Sequence, residues 1–237
     1  MPKAENSLSN TIGNIYRKLS HAAMRAGRQP DEVTLLAVTK KVNTQIIDEA
    51  INCGLRDLGE NYVQEASNKI STLTQLCPFT NTRWHLIGHL QKNKVRSAVK
   101  LFSVIHTVDS YELALLIDKE AKKIQKVQKA LIQVKLSKED TKHGIDESEL
   151  LNLIKDTAGF ENLQFEGLMT IPEYLPESQL MRPVYGKLRF LRDTLHELGY
   201  QHFKELSMGM SDDFEIAIEE GATIVRVGSA IFGQRIN

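Results

Sequence analysis

The chain has 237 residues, 41% of them hydrophobic, and its 30 lysines and arginines balance 30 aspartates and glutamates. That balance excludes the overall positive field by which a protein gathers nucleic acid or an anionic membrane surface. Two cysteines, Cys53 and Cys77, are too few for a disulfide scaffold and lack metal-ligand spacing, so both read as ordinary thiols.

The opening segment MPKAENSLSNTIGNIYRKLS has no apolar core of signal-peptide kind. No run approaches the roughly 20 apolar residues of a membrane span, so a soluble, cytoplasmic protein is expected. Within residues 5–26, Ile12, Ile15, Leu19, Ala22 and Ala23 recur at helical spacing, which predicts a helix ahead of the first strand.

Eight apolar runs of strand length follow: TLLAVTK (34–40), LRDLGEN (55–61), WHLIGHL (84–90), FSVIHTVD (102–109), ALIQVKL (130–136), QFEGLMTI (164–171), KELSMGM (204–210) and IVRVGSAIF (224–232). Between them the period changes from two to about 3.6. Val63, Ala66, Ile70 and Leu73 share one helical face, as do Val184, Leu188, Leu191, Leu195 and Leu198. Asp146 with Glu149, and Asp212 with Glu215, have capping-box spacing, and Gly221 sits where a helix would end. Strict alternation implies parallel pairing through helical crossovers. Eight units imply one α/β domain over residues 1–237, a (β/α)8 TIM barrel spanning 34–232, with an open doubly wound sheet as the alternative. The last predicted strand ends five residues before the C-terminus, leaving no room for a second domain.

A barrel of this kind carries its site at the C-terminal ends of the strands. Lys40, Asn61, His89, Asp109, Thr170, Ser207 and Ser211 fall there. Alternation puts Lys40 on the face of Leu36 and Val38, hence into the mouth, whereas Lys41 turns the other way into solvent. Lys40 is then either a solvated strand-end amine or a partly desolvated nucleophile toward an aldehyde. SMGMSDD (207–213) and RVGSAIFG (226–233) follow strands seven and eight, where barrels hold phosphate with backbone amides. Gly209 and Gly228 allow close approach, Ser207, Ser211 and Ser229 offer hydroxyls, and an inward Arg226 calls for an anion. Ser211 could equally cap a helix, and Asn61 could bind a ligand or tie down a turn. His85 and His89 share a face but lack a third ligand at recognisable spacing, so no metal is expected there. KEDTKHG (138–144) reads as a solvated connection, and Glu166 as a core carboxylate rather than a general base.

An amine at strand one and a phosphate cradle at strands seven and eight suit a ligand with both an aldehyde and a phosphate, as pyridoxal 5′-phosphate has. Through LLAVTK, GENYVQE, WHLIGHLQKNK, GLMTIP and LSMGMSDDFEIAIEEGATIVRVGSAIFG, the sequence resembles the YggS/PROSC family of pyridoxal-phosphate homeostasis proteins over nearly its whole length. These are relatives of the barrel domain of alanine racemase. The resemblance implies a fold-type-III barrel that holds the cofactor as a Schiff base on Lys40, with phosphate contacts from Ser207, Met208 and Gly209 and from Arg226, Gly228 and Ser229, and with Asn61 nearby. Two departures stand out: Asn43 where the family commonly has proline, and Lys92 where serine is frequent. The implied role is delivery and buffering of the cofactor, with effects on amino-acid and keto-acid balance and with apo-enzymes as possible recipients. A racemase-type enzyme is the alternative, since Lys40 could serve one face of a Cα carbanion, but a base on the opposite face is also required.

Overall fold

The computed structural model describes residues 7–76, 81–136, 143–173 and 177–234. Cys77 and most of the 138–144 loop lie outside the described residues. The chain opens with α1 (Leu8–Arg25), whose buried stripe is the Ile12, Ile15, Leu19, Ala22 and Ala23 set expected from spacing. Ser7 caps it, its side chain accepting from Asn10 N.

Strands and helices then alternate without exception: β1 (Thr34–Val38), α2 (Thr44–Asn52), β2 (Asp57–Glu60), α3 (Val63–Leu76), β3 (Arg83–Leu86), α4 (Val95–Leu101), β4 (Val104–Val108) and α5 (Tyr111–Lys123). The second half continues with β5 (Gln128–Gln133), α6 (Leu150–Asp156), β6 (Leu163–Met169), α7 (Arg182–Glu197), β7 (Glu205–Ser207), α8 (Phe214–Glu219), β8 (Ile224–Val227) and α9 (Ser229–Phe232). All eight strands pair in parallel in chain order, and β1 closes on β8. The barrel is the closed (β/α)8 form, and the open sheet is excluded.

Parity along β1 divides the core in two. Leu36 and Val38 point inward and pack with Ile87, Leu131, Met169 and Ile224, while Leu35 and Ala37 join the larger core beneath the helices. A fully buried side chain such as Leu36 contributes about 1.5–3 kcal/mol by leaving water. Outside the barrel α1 packs against α8, where Arg25 pairs with Glu215 and Glu219 and Arg28 Nη1 donates to the carbonyls of Ile218 and Ala222.

Several boundary expectations change, and most strands are shorter than their apolar runs, as β3 and β7 are against 84–90 and 204–210. The run 224–232 is not one strand: β8 stops at Val227, and Gly228 (φ −121°, ψ −75°) turns the chain into α9. Neither capping box forms. Asp146 precedes a 3₁₀ turn with no side-chain cap bond, and α8 starts after Asp213 instead of Asp212. Gly221 does end α8, at φ 101°, a conformation that favours glycine. Among the described residues no helix is long and apolar enough to cross a membrane.

Candidate functional site

A cavity of about 570 Å³ opens at the C-terminal ends of the strands, within the range that suits a small molecule. Six of the candidate site residues read from sequence line it: Lys40, Asn61, Ser211, Arg226, Gly228 and Ser229. Val38, Ile87, Ile171 and Met210 supply an apolar wall, and Asp212 and Gln234 add polar groups. Val38 ends the inward row of β1, and Ile87 and Ile171 extend the inward rows of β3 and β6 one step past their strands, whereas Met210 follows from no such row.

Lys40 is half-buried in a turn that the neighbouring strand and helix clamp. Thr39, facing away from the mouth, donates from N to the Gly59 carbonyl at 2.9 Å and from Oγ1 to Glu60 Oε1 at 2.7 Å. The buried Lys69 ammonium donates to Thr39 O at 2.6 Å, to Glu60 Oε1 at 2.8 Å and to Glu65 Oε1 at 2.6 Å. Glu65 also accepts from the backbone N of Lys41, which sits at φ 57° and is exposed. Thus a buried, mutually paired set of charges fixes the peptides on both sides of Lys40. Burial pushes the Glu60 carboxyl upward despite its bonds from Lys69 and Thr39. Asn43, in the place of the family's proline, caps α2 by accepting from Gln45 N at 2.9 Å, so the turn is closed by a side chain instead of a ring.

The segments after β7 and β8 divide their labour differently from expectation. Gly228 and Ser229 line the cavity, and the amides of Gly228 and Ala230 converge on Ser211 Oγ at 3.1 and 3.3 Å. Ser207, Met208 and Gly209 lie behind that surface and do not line it. Ser207 is fully buried, Met208 packs in the outer core, and the Gly209 carbonyl accepts from Arg226 N at 3.0 Å. Asp213 ties this loop down: Oδ1 accepts from Met210 N at 2.6 Å and Oδ2 from the buried Tyr185 hydroxyl at 2.9 Å.

Beneath the cavity the barrel interior holds a string of polar side chains. Arg226, 4% exposed, donates from Nη2 to the Thr170 carbonyl and from Nη1 to Ser207 Oγ, both at 2.8 Å. Ser207 Oγ lies 3.0 Å from His106 Nδ1, His106 Nε2 lies 2.9 Å from His85 Nδ1, and His85 Nε2 lies 3.1 Å from Asp57 Oδ1. Arg83 completes the base with a 2.7 Å pair to Asp57. Burial pulls the Arg226 guanidinium down to about 10, still a cation at neutral pH. Burial, with His85 and Arg226 nearby, holds His106 well below the ordinary histidine value. Burial pushes Asp57 up, but its bonds from His85 and Arg83 outweigh this and hold it below the usual aspartate range.

These shifts fix the sign of a pH effect. Unfolding lets His106 and Asp57 bind protons that the folded chain resists, so stability falls as pH falls. The histidine part is fully present above pH about 6.5 and is lost toward its depressed folded value, at about 1.4 kcal/mol per pH unit. The aspartate part is lost only below pH about 3.9, whereas the raised Glu60 acts with opposite sign at higher pH, from about 4.3 up to its raised folded value. Urea midpoints should therefore drop between pH 6.5 and pH 5 in the wild type, and the drop should flatten in His106→Asn.

The two histidines paired by parity part company. His85 points into the string, whereas His89 lies exposed at the rim, stacked on His143 with ring centroids 4.0 Å apart. His89, Asp109 and His143 bring ligand atoms within 4.8 Å of one another. The third member comes from a distant loop, which no local spacing signals. Glu166 is half-buried and pairs with Lys129, which is more than half exposed, at 2.7 Å, at a register shift between β5 and β6. It is a surface ion-pair partner and not a core carboxylate.

The closed eight-stranded barrel falls in the class of the alanine racemase N-terminal domain, whose family model matches residues 12–236. The chain is 42% identical over 224 residues to the pyridoxal phosphate homeostasis protein of Aquifex aeolicus, covering 94% of this chain and 96% of that protein. It is 39% identical over 234 residues to the Escherichia coli K12 protein of that name, covering 97% of each. PipY of Synechococcus elongatus PCC7942, solved with PLP bound, superposes with a TM-score of 0.80 at 37% identity, covering 92% of this chain and all of that one. The chain belongs to the family of pyridoxal phosphate homeostasis proteins.

Proposed function

We propose that this protein binds pyridoxal 5′-phosphate (PLP) through Lys40 and serves intracellular PLP homeostasis as a carrier, with residues 1–237 acting as one unit. The observation that carries the reading is that the Lys40 amine and the buried Arg226 cation line one cavity with Gly228 and Ser229. The residues fit the group: Arg226 spends its described hydrogen bonds on two neutral oxygens, and the Gly228 and Ala230 amides already converge on an oxygen atom.

When bound, PLP supplies an aldehyde that condenses reversibly with a primary amine, and a ring that withdraws electrons. Lys40 presents the amine, and the clamp of Lys69, Glu60 and Glu65 keeps it from leaving the mouth. Ser211, Ser229 and the backbone of Gly228 offer donors to phosphate oxygens, while Asn61, just after β2, offers a carboxamide. Ser207, Met208 and Gly209 act from behind, holding Arg226 and the loop in place. The open mouth and a reversible bond suit release to cytoplasmic PLP-dependent apo-enzymes.

The test is a visible absorption spectrum of the purified, PLP-loaded protein before and after borohydride, with the modified peptide mapped. A yellow protein labelled at Lys40 is expected. A chain that stays colourless and unlabelled after loading would overturn the reading.

A further inference from the structure

The string of side chains inside the barrel has a direction that its ends dictate. Arg226 has only donors, so Ser207 Oγ must accept from it, and the Ser207 hydrogen is left to point at His106 Nδ1. His106 Nδ1 is then an acceptor and Nε2 carries the proton, which goes to His85 Nδ1. His85 in turn carries its proton on Nε2 and gives it to Asp57, a carboxylate that only accepts. Reversing the string would aim a bare ring nitrogen at a carboxylate. A His85 imidazolium would make His106 a donor to Ser207, stripping the buried hydroxyl of its acceptor, and would add a second cation beside an Asp57 that Arg83 already neutralises.

We infer that His106 and His85 are positioning residues: both are neutral Nε2–H tautomers in a one-way chain from Arg226 to Asp57, which keeps Ser207 an acceptor and holds the Arg226 guanidinium in the mouth. The chain crosses the barrel from its base to its ligand end, and each link is between 2.8 and 3.1 Å. Among the described residues His106 hydrogen-bonds to His85 and Ser207, neither of which lines the cavity, so its effect on a ligand passes through Ser207.

Two measurements test this. The first needs no ligand: long-range proton–nitrogen correlation spectra of 15N-histidine-labelled protein at neutral pH should show both rings as Nε2–H. An Nδ1–H ring at either position, or an imidazolium at His85, overturns the inference. The second compares His106→Asn, whose carboxamide oxygen falls near the place of Nδ1, with His106→Gln, whose carboxamide reaches toward His85 and leaves Ser207 without an acceptor. PLP affinity, read by absorbance titration, should weaken about tenfold in His106→Gln and stay within about threefold in His106→Asn. Equal affinities in the two variants overturn the inference. This second arm rests on the PLP reading above. A wild type that fails to bind PLP would sink that reading, while the tautomer spectra would still decide the chain.

Discussion

Lys40→Ala protein, loaded with PLP and treated with borohydride, should carry no pyridoxyl label, while Lys41→Ala should be labelled as fully as the wild type. The two lysines differ by one residue and by everything that matters. Lys40 continues the inward row of Leu36 and Val38 and lines the cavity. Lys41 is exposed, and its left-handed φ of 57° turns the chain away from the mouth. An amine must reach the aldehyde to react with it, and no other lysine lines this cavity among the described residues. Full labelling of Lys40→Ala, or loss of label in Lys41→Ala, would reverse the assignment. Circular dichroism should show both variants folded, because the buried ammonium of the clamp is that of Lys69, which both variants keep.

Gly209→Ala should lower folding stability by roughly 2–4 kcal/mol and weaken ligand retention with it. At φ 90° an alanine is strained, and its Cβ would stand 2.4 Å from Ala217 Cβ and 3.1 Å from Phe214 Cα. Neither neighbour can step aside, since Ala217 is fully buried on α8 and Phe214 begins that helix. The Gly209 carbonyl also holds the Arg226 backbone, so the shift would reach the cavity. Gly13→Ala is the contrast: it sits in α1 with nothing within 4 Å of its added carbon and should stabilise by about 0.5–1 kcal/mol. Urea midpoints for the pair decide the matter. A Gly209→Ala protein as stable as the wild type would mean that α8 is not held against the loop as described.

The barrel was legible because every unit repeats the same two periods, and the inward placement of Lys40 and Arg226 followed from counting residues by twos. Counting fails where the chain leaves the strand. The run SAIF reads as the continuation of β8, yet four apolar or small residues fit a helical turn equally well, and Gly228 decides for the helix. Ser207, Met208 and Gly209 carry a motif that belongs to the site, but the motif cannot say whether they touch a ligand or support what does. His106 was invisible for a different reason. It reads as one polar residue within FSVIHTVD, and its partners lie 21 residues before it and 101 residues after it, across the barrel. No local pattern announces such a pairing.

The interior string also bears on how the chain finds its fold. Asp57, His85, His106, Ser207 and Arg226 come from β2, β3, β4, β7 and β8, so their bonds can all form only when widely separated strands have met in the right register. Shifting any one of those strands by a single residue would turn its member of the string outward and leave its neighbours buried and unpaired, at about 1–3 kcal/mol for each. An incomplete barrel, still wet inside, escapes that penalty; a wrongly closed one does not. The polar interior thus works as a proofreading step in assembly, rejecting misregistered closures that a uniformly apolar core would tolerate.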